Sequence, residues 1–276
     1  DIIDISNIYT SNFYDINVED NKLMFINYVN LIGDDYFNYV IDASGYAYGQ
    51  IIRKQLIPNF YSLGKVYDRN QYAPIAYNLS GFFPLDIGHV DISFVWVATY
   101  RDYNVNIGIP IDISNIIIWG DKVVINNYYI ISTSTISGII SKRYLYTTGI
   151  DKNYDRKVIA NVSISNIVGD DIIGYFANFD DFNAGSNKHI TVSLSDTILP
   201  NVNNNYQLFT IHDKANVFQA LLKATFTGLT KVYNAVTDGQ TTYTISGIID
   251  GDIIDISNIY TSNFYDINVE DNKLMF

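Results

Sequence analysis

The chain begins and ends with the same string of 25 residues, DIIDISNIYTSNFYDINVEDNKLMF, at positions 1–25 and again at 252–276. An old duplication would have accumulated substitutions. Perfect identity therefore indicates either a very recent duplication or one window of a longer tandem array. In a tandem array, each residue is equivalent to the residue 251 positions later. This second interpretation predicts that smaller repeats fill the interval between the two copies.

A shorter motif, Lys-x-Tyr followed by Asp or Asn, recurs three times inside this interval. It reads KVYD at 65–68, KNYD at 152–155 and KVYN at 231–234. Successive copies lie 87 and 79 residues apart, and a further step of 85 residues leads to the first copy of the next period. The three steps together close the 251-residue period, as a tandem array requires and a lone terminal duplication does not.

Two further motifs follow each Lys-x-Tyr in a constant order. The first is an aromatic-Asp-Asn element, which reads YRDYNV at 100–105, FDDFNA at 179–184 and FYDINV at 13–18 and 264–269. The second is an Asn-Tyr pair near the end of each repeat. The landmark residues of the Lys-x-Tyr and Asn-Tyr motifs are Lys65, Tyr67, Asp68, Lys152, Tyr154, Asp155, Lys231, Tyr233, Asn127, Tyr128, Asn205, Tyr206, Asn38 and Tyr39.

The composition and the local patterns predict an all-β chain. Ile, Tyr, Val, Thr and Phe, which suit strands, are abundant, while Glu occurs only at positions 19 and 270. The string HITVSLS at 189–195 alternates cleanly, with Ile190, Val192 and Leu194 on one face. Residues 214–226 resemble a helix by propensity. Their counterparts in the other repeats read as strands, so we predict two strands with a joint between them.

The repeat spacing predicts tandem small β-sandwiches of the immunoglobulin-like type, about 80–87 residues each, within the 251-residue period. Residues 1–54 are the back part of one repeat, and residues 222–276 are the front part of an equivalent repeat. Residues 55–141 and 142–221 are complete repeats. In chain order, residues 1–54, 55–141, 142–221 and 222–276 are called the first, second, third and fourth segments. The residues joining them, near 51–56, 139–145 and 219–224, are expected to be strands that run between adjacent repeats.

Charge and motif content disfavour several classes of function. A formal net charge of −12 would repel the phosphates of nucleic acids. The chain has no cysteine, so disulfides and thiolate metal sites are excluded. It has no apolar run long enough to cross a membrane. The three histidines share no repeat position, and no nucleophile or phosphate-binding motif occurs. No enzyme and no catalytic residue is predicted.

The landmark residues leave alternatives open. The tyrosines form either an aromatic surface for glycans or a buried tyrosine corner whose hydroxyl donates to a turn carbonyl, and their recurrence favours the corner. The adjacent asparagines are expected to cap turns. Each landmark lysine either packs over a tyrosine or joins an asparagine in an isopeptide bond. Scarcity of glutamate disfavours the bond.

Acidic pairs at 34–35, 170–171 and 180–181 raise the question of calcium, the only cofactor that the composition leaves open. Calcium between repeats would stiffen a stalk. No spaced Asp/Asn loop ending in a bidentate Glu is present, so solvated turns are the preferred interpretation.

The Lys-x-Tyr-Asp start, the central aromatic-Asp-Asn-Val element and the late Asn-Tyr resemble the YDG repeat domain, found in tandem in large filamentous-haemagglutinin-like surface adhesins. The glycine that usually follows Tyr-Asp is replaced here by Arg69, Arg156 and Ala235. The resemblance implies an extracellular, stalk-forming domain without known catalysis, on a cell surface or alternatively on a virion.

The expected function is therefore a structural subunit or segment of a filament, with copies of itself as partners end to end. The alternative is an adhesin whose repeats bind a host glycan or protein. We also expect the polypeptide to continue past both termini in covalent register. Separate subunits completed by strand donation are the competing arrangement.

Overall fold

The computed structural model describes residues 4–5, 10–27, 29–42, 45–93, 97–197, 200–257 and 261–276. About 50% of the chain is strand and about 5% is helix, so the predicted all-β class is confirmed. The chain divides into two compact units, Asp1–Lys142 and Arg143–Phe276. Parts of the duplicated string, at 1–3, 6–9 and 258–260, lie outside the described residues.

The first unit is built from short strands with one single-turn α-helix and two 3-10 turns, at Tyr36–Asn38 and Pro84–Asp86. Its elements are β1 (Asp4–Ile5), β2 (Thr10–Phe13), β3 (Glu19–Asn27), β4 (Leu31–Ile32), β5 (Gly45–Ile51), β6 (Lys54–Gln55), β7 (Ile57–Ser62), β8 (Lys65–Val66), β9 (Ile75–Ser80), β10 (Val90–Ile92), β11 (Val97–Tyr100), β12 (Asn106–Ser114), β13 (Ile118–Gly120), α1 (Lys122–Ile125), β14 (Tyr128–Tyr129) and β15 (Ser134–Ser141).

The second unit is also built mainly from short strands. Its elements are β16 (Arg143–Ile150), β17 (Lys152–Asn153), β18 (Asn161–Ser165), β19 (Tyr175–Phe179), β20 (Gly185–Leu194), α2 (Pro200–Asn203), β21 (Tyr206–Leu208), β22 (His212–Phe218), β23 (Lys223–Gly228), β24 (Asp238–Gly239), β25 (Thr241–Ser246) and β26 (Ser262–Asn263).

In the first unit, the second segment contains a four-stranded sheet in the order β11-β12-β15-β8. These neighbours are antiparallel except β8, which pairs in parallel with the end of β15. β7 pairs in antiparallel with β9, and β6 pairs in parallel with β14. The chain therefore leaves the β7–β9 ladder after Ser62. After two further residues it joins the edge of the four-stranded sheet at β8, which begins at Lys65.

In the second unit, the third segment repeats these ladders, while the β10–β13 ladder of the second segment has no counterpart among the described residues of the third. Its four-stranded sheet runs in the order β19-β20-β22-β17, and β17 is again parallel to the end of β22. The other sheet runs in the order β18-β16-β21, with β16 antiparallel to β18 and parallel to β21. The ladders of the four-stranded sheet in the second segment, and its β7–β9 and β6–β14 ladders, each have a counterpart in the third segment. The counterpart has the same parallel or antiparallel sense in every case.

Alternating side chains place the core of each segment on one face of its central strand. β12 buries Ile109, Ile111 and Ile113, while β20 buries Ile190 and Val192. The residues between them are more exposed, as a strand period of two requires. The single apolar face predicted for 189–195 is therefore confirmed for Ile190 and Val192, while Leu194 is half-buried.

The first and fourth segments each contain part of this pattern around the same hairpin, residues 10–25 and 261–276, which we call the duplicated hairpin. The register is identical in the two copies, with Phe13 opposite Met24 and Phe264 opposite Met275. In the first segment the hairpin continues into the sheet β2-β3-β5, whereas in the fourth β26 pairs with β24. One sequence thus adopts one local structure beside two different neighbours.

The connections between segments are short. Residues 52–53 separate β5 from β6, one residue separates β15 from β16, and residues 219–222 separate β22 from β23. Residues 214–226 contain the end of β22 and the start of β23, so the predicted pair of strands is confirmed despite the local helix propensity. Strand pairing on both sides outweighs propensity here.

Candidate functional site

The landmark lysines each close the loop that follows their own motif. The Lys65 ammonium lies 2.6 Å from Asp68 Oδ1 and 2.6 Å from the carbonyl oxygen of Asn70. Lys152 Nζ makes the equivalent contacts to Asp155 Oδ1 (2.7 Å) and Lys157 O (2.7 Å). Lys231 Nζ makes the equivalent carbonyl contact to Val236 O (2.7 Å), but Asn234 replaces the Asp of the motif, and the carboxylate partner is Asp238 Oδ1 (2.8 Å), seven residues after the lysine. The same chemistry therefore recurs in three loops, which we call the lysine loops.

Each landmark lysine also lies over an aromatic ring, but the ring belongs to the central motif and not to the landmark tyrosines. Lys65 Nζ is 5.6 Å from the centroid of the Tyr100 ring. The corresponding distances are 5.6 Å from Lys152 to Phe179 and 5.8 Å from Lys231 to Phe264. A cation over an aromatic face is attracted by the ring quadrupole. The lysine thus connects two motifs that are distant in sequence.

The residue after the Tyr-Asp pair adopts a left-handed backbone in all three lysine loops. Arg69, Arg156 and Ala235 have φ angles of 62°, 61° and 62°. The preceding Asp or Asn accepts a hydrogen bond from the backbone N–H two residues later, as Asp68 does from Asn70 at 3.1 Å. This side-chain turn accompanies the positive φ in the three lysine loops. The residue with positive φ occupies the position that glycine holds in the YDG pattern.

Ala235→Gly should therefore stabilise the fourth segment by about 1 kcal/mol, because glycine adopts positive φ without the steric cost that a Cβ atom incurs. Hydrogen exchange of the amides in 231–238 would measure the gain. Ala235→Val, which adds β-branching at the same φ, should reduce protection. Equal protection in the two variants would contradict the explanation.

The aromatic-Asp-Asn element is also a side-chain turn, and it occurs in all four segments. The Asp carboxylate accepts from the backbone N–H of the Asn two residues later. The donor–acceptor distances are 2.7 Å for Asp15 and Asn17, 2.9 Å for Asp102 and Asn104, 2.7 Å for Asp181 and Asn183, and 2.7 Å for Asp266 and Asn268. The order Asp-x-Asn is therefore explained by local geometry.

Three lysines that sequence analysis missed bind these Asp carboxylates from seven residues further along the chain. Lys22 pairs with Asp15 at 2.6 Å, and Lys188 and Lys273 pair with the equivalent Asp181 and Asp266. The Lys188 ammonium holds the pKa of the Asp181 carboxyl below its ordinary value. The second segment has no lysine at this position. The constant spacing of seven was the signal available in the sequence.

The Asn-Tyr tyrosines are buried in the two complete segments. The Tyr206 hydroxyl donates to the Asp171 carboxylate at 2.7 Å and accepts from the Val168 backbone N–H at 3.0 Å. Tyr128 is bound in the same way, donating to Asp86 and accepting from the N–H of Phe83. The predicted turn carbonyl is thus replaced by a carboxylate, which accepts more strongly.

The remaining landmark residues differ in burial from one segment to another. Tyr67 is buried and Tyr154 half-buried, whereas Tyr233 in the fourth segment is 57% exposed. Tyr39 is 46% exposed. Asn205 is buried and its amide donates to the carbonyl of Asn201, while the Asn38 N–H donates to the Asp35 carbonyl.

Burial, reinforced by the Asp171 carboxylate, raises the pKa of Tyr206 to about 12, above the ordinary value of about 10. A raised pKa in the folded state gives stability that is fully present below pH 10 and is lost as the pH rises toward 12. We expect the free energy of unfolding of the third segment to fall over this range in urea titrations. The decrease should be shallower in Tyr206→Phe. Parallel pH profiles would contradict the assignment.

Landmark motifs also meet between successive segments, in two sets of bonds that we call the joint contacts. In the first unit, Asn127 accepts from the Val18 N–H at 2.8 Å and donates to Asn17 at 3.1 Å. These bonds link the central motif of the first segment to the Asn-Tyr pair of the second. The described bonds of the Asn127 side chain therefore go to the preceding segment and not to the turn that it was predicted to cap.

In the second unit, the lysine loop of the third segment meets the turn at 250–252 of the fourth. The Tyr154 hydroxyl donates to Asp252 at 3.0 Å, and Arg156 donates to the carbonyl of Asp250 at 3.2 Å. Gly251 permits this approach, because a Cβ atom there would lie 1.5 Å from an Arg156 nitrogen. The Tyr-Asp motif thus contributes to a contact between neighbouring segments.

Asp252 occupies a repeating position that sequence analysis did not identify. It lies five residues after Gly247, as Asp86 does after Gly81 and Asp171 after Asn166, and all three of these preceding residues have positive φ. In the complete segments this Asp binds the buried tyrosine. In the fourth it binds the lysine loop of the preceding segment.

A double variant, Tyr154→Phe with Arg156→Gly, should loosen the joint contact and leave the lysine loop intact, because glycine suits the positive φ at 156. We expect faster amide exchange at 249–252 with little change at 185–194. Ala235→Gly, which alters the equivalent loop position in the fourth segment, is the matched control. Unchanged exchange at 249–252 would show that these bonds do not hold the joint.

Other kinds of site receive no support from the described residues. Within them, no group of three His, Asp or Glu side chains is placed to hold a metal ion. In the part of the chain that is described, no helix is long and apolar enough to span a membrane. In the acidic pairs considered for calcium, Asp171 binds a tyrosine and Asp181 a lysine.

Comparison with protein-family models, with curated proteins and with solved structures found no match to this chain. The joint contacts and the motif geometry within the chain are therefore the basis on which its function is inferred.

Proposed function

We propose that this chain is a segment of a long extracellular filament or stalk, built of tandem immunoglobulin-like β-sandwiches of about 80–87 residues in a 251-residue period. The observation that carries the proposal is the recurrence of one strand connectivity in the second and third segments. Repeats that contact mainly their neighbours form elongated, quasi-one-dimensional molecules.

The joint contacts support a stiff stalk over a flexible string. Within each unit, two to four residues connect the last strand of one segment to the first strand of the next. Such connections are too short to act as flexible linkers. The Tyr154–Asp252 and Asn127–Val18 bonds add polar contacts between segments, which restrict bending within each unit.

The geometric part of the proposal is tested with a two-period chain, made of residues 1–251 followed by 1–276. Its particle length in electron micrographs should be about twice that of the one-period chain. Pulling single molecules should give repeated unfolding events, each releasing roughly 250–300 Å of chain. A compact particle, or one large event per molecule, would contradict a tandem stalk.

The extracellular part is tested by antibody labelling of intact source cells or virions. We expect gold particles along thin filaments on the surface without permeabilisation. Labelling that appears only after lysis would refute the proposed location, and continuous filaments of other composition would refute the structural role.

A second candidate function, an adhesin that binds a glycan or a protein, is favoured by an aromatic cluster in the third segment. Tyr144, Tyr146 and Phe209 are 46–63% exposed, and the Phe209 centroid lies 5.9 and 5.1 Å from those of the two tyrosines. The ladder registers place Ile131 of the second segment at the position of Phe209. Loss of glycan-array binding in Phe209→Ala but not in Ile131→Ala would support the adhesin.

A further inference from the structure

The fourth segment contains an open groove of about 770 Å³ between the strand pair β23–β25 and the duplicated hairpin. Phe226, Leu229 and Thr241 line one side, and Phe264 and Met275 line the other. Leu274, Phe276 and Tyr233 in the same segment are 57–70% exposed. The groove therefore has apolar side chains on both sides, among polar ones such as Lys231 and Glu270.

The first segment identifies what belongs in this groove. There the outer edge of the hairpin strand β3 pairs in antiparallel with β5, with Leu23 opposite Tyr48 and Met24 opposite Ala47. The fourth segment has the same hairpin in the same register, but residues 270–276 line the groove. The two edges are identical in sequence, so a strand that fits one edge fits the other.

The fit is specific because it requires a glycine. A Cβ atom on Gly49 of β5 would lie 2.6 Å from the sulfur of Met24 and 2.8 Å from the Phe13 ring. In the fourth segment, Met275 and Phe264 present the same pair of side chains. Met275 is itself held against Gly239, where a Cβ atom would lie 2.3 Å from its terminal methyl.

We propose that β5 (Gly45–Ile51) of a second copy of this chain occupies the groove by pairing along residues 270–276. The inference rests on the proposed end-to-end arrangement of copies and supplies its contact. The incoming β5 exchanges its own hairpin for an identical one, so the β3–β5 ladder is neither gained nor lost. Burial of the apolar side chains Phe226, Leu229 and Met275 against the incoming strand is the net gain.

The absence of cysteine permits a direct test with single-cysteine variants. Leu274→Cys in one chain should face Tyr48→Cys in the other, because Leu23 lies opposite Tyr48 in the first segment. Both side chains are more than 60% exposed, so neither substitution opens the core. Mixing the two variants under oxidising conditions should give a disulfide-linked dimer.

Tyr46→Cys mixed with Leu274→Cys is the control, two residues out of register. Its yield of dimer should be several-fold lower. Equal yields from the two pairs, or a chain that stays monomeric in sedimentation at all concentrations, would overturn the proposal. Deleting residues 1–25 frees the edge of β5 and should strengthen association, while deleting both copies of the string should abolish it. Unchanged association after the single deletion would also count against it.

The outcomes of this test distinguish a failure of the docking from a failure of the proposed function. Register-specific dimers together with labelling only after cell lysis would refute the extracellular filament and leave the docking intact. Surface filaments without register-specific dimers would refute the docking alone.

Discussion

Replacing Leu145 with alanine should destabilise the third segment by about 2–5 kcal/mol, because the side chain is fully buried at the start of β16 and its removal leaves a cavity. Leu56 is its counterpart in the second segment and is equally buried, so Leu56→Ala should cost a similar amount there. Segment-resolved hydrogen exchange is the suitable measurement, since a chain of several segments does not unfold in a single two-state step.

The matched control is Leu222→Ala, which changes the equivalent residue of the fourth segment. The ladders align Lys223 with Ile57 and Tyr146, so the residues preceding them are equivalent. Leu222 is only partly buried, and its loss should cost about 1 kcal/mol or less. In the two-period chain, where a following copy completes the segment, the cost at Leu222 should rise toward that at Leu145. Equal costs in the one-period chain would contradict an effect of the difference in burial between Leu222 and Leu145.

Tyr206→Ala should destabilise the third segment by about 3–5 kcal/mol, because it removes a buried ring from beside α2. Tyr206→Phe should cost less, about 1–3 kcal/mol, since it removes only the hydroxyl bonds to Asp171 and Val168. Urea unfolding followed by exchange of the amides in 206–208 would separate the two losses.

Tyr39→Ala is the control for this pair of variants. Tyr39 holds the same motif position in the first segment but is 46% exposed, so its loss should be small. A large effect at Tyr39, or no difference between the alanine and phenylalanine variants at 206, would contradict the bonding assigned to the Asn-Tyr motif.

The effect of the Tyr206 variants depends on a property of the landmark motifs, which is that each motif bonds to residues outside itself. The lysine loops bind rings of the central motif, the Asn-Tyr tyrosines bind the repeating Asp, and the joint contacts bind neighbouring segments. A stalk assembled from such units would place its recurring residues where sheets and segments meet.

The sequence by itself determined the features that depend on neighbouring residues. The period-two alternation of β12 and β20 predicts strands with one buried face, and the repeat register correctly divides 214–226 into two strands. The Asp-x-Asn turns and the lysine loops close within two to seven residues. Interactions over such short distances leave a readable spacing in the chain.

Tertiary structure alone decided the partners that lie far apart in the chain. The ring over Lys65 comes from position 100, the carboxylate under Tyr128 from position 86, and β8 pairs in parallel with a strand 75 residues later. The repeating Asp acquires its role in the same way. These pairings depend on how two sheets pack and how the first strand of each segment changes sheets. The alternation of buried and exposed side chains along a strand does not carry that information. Its period of two residues is the same whichever strand pairs with it.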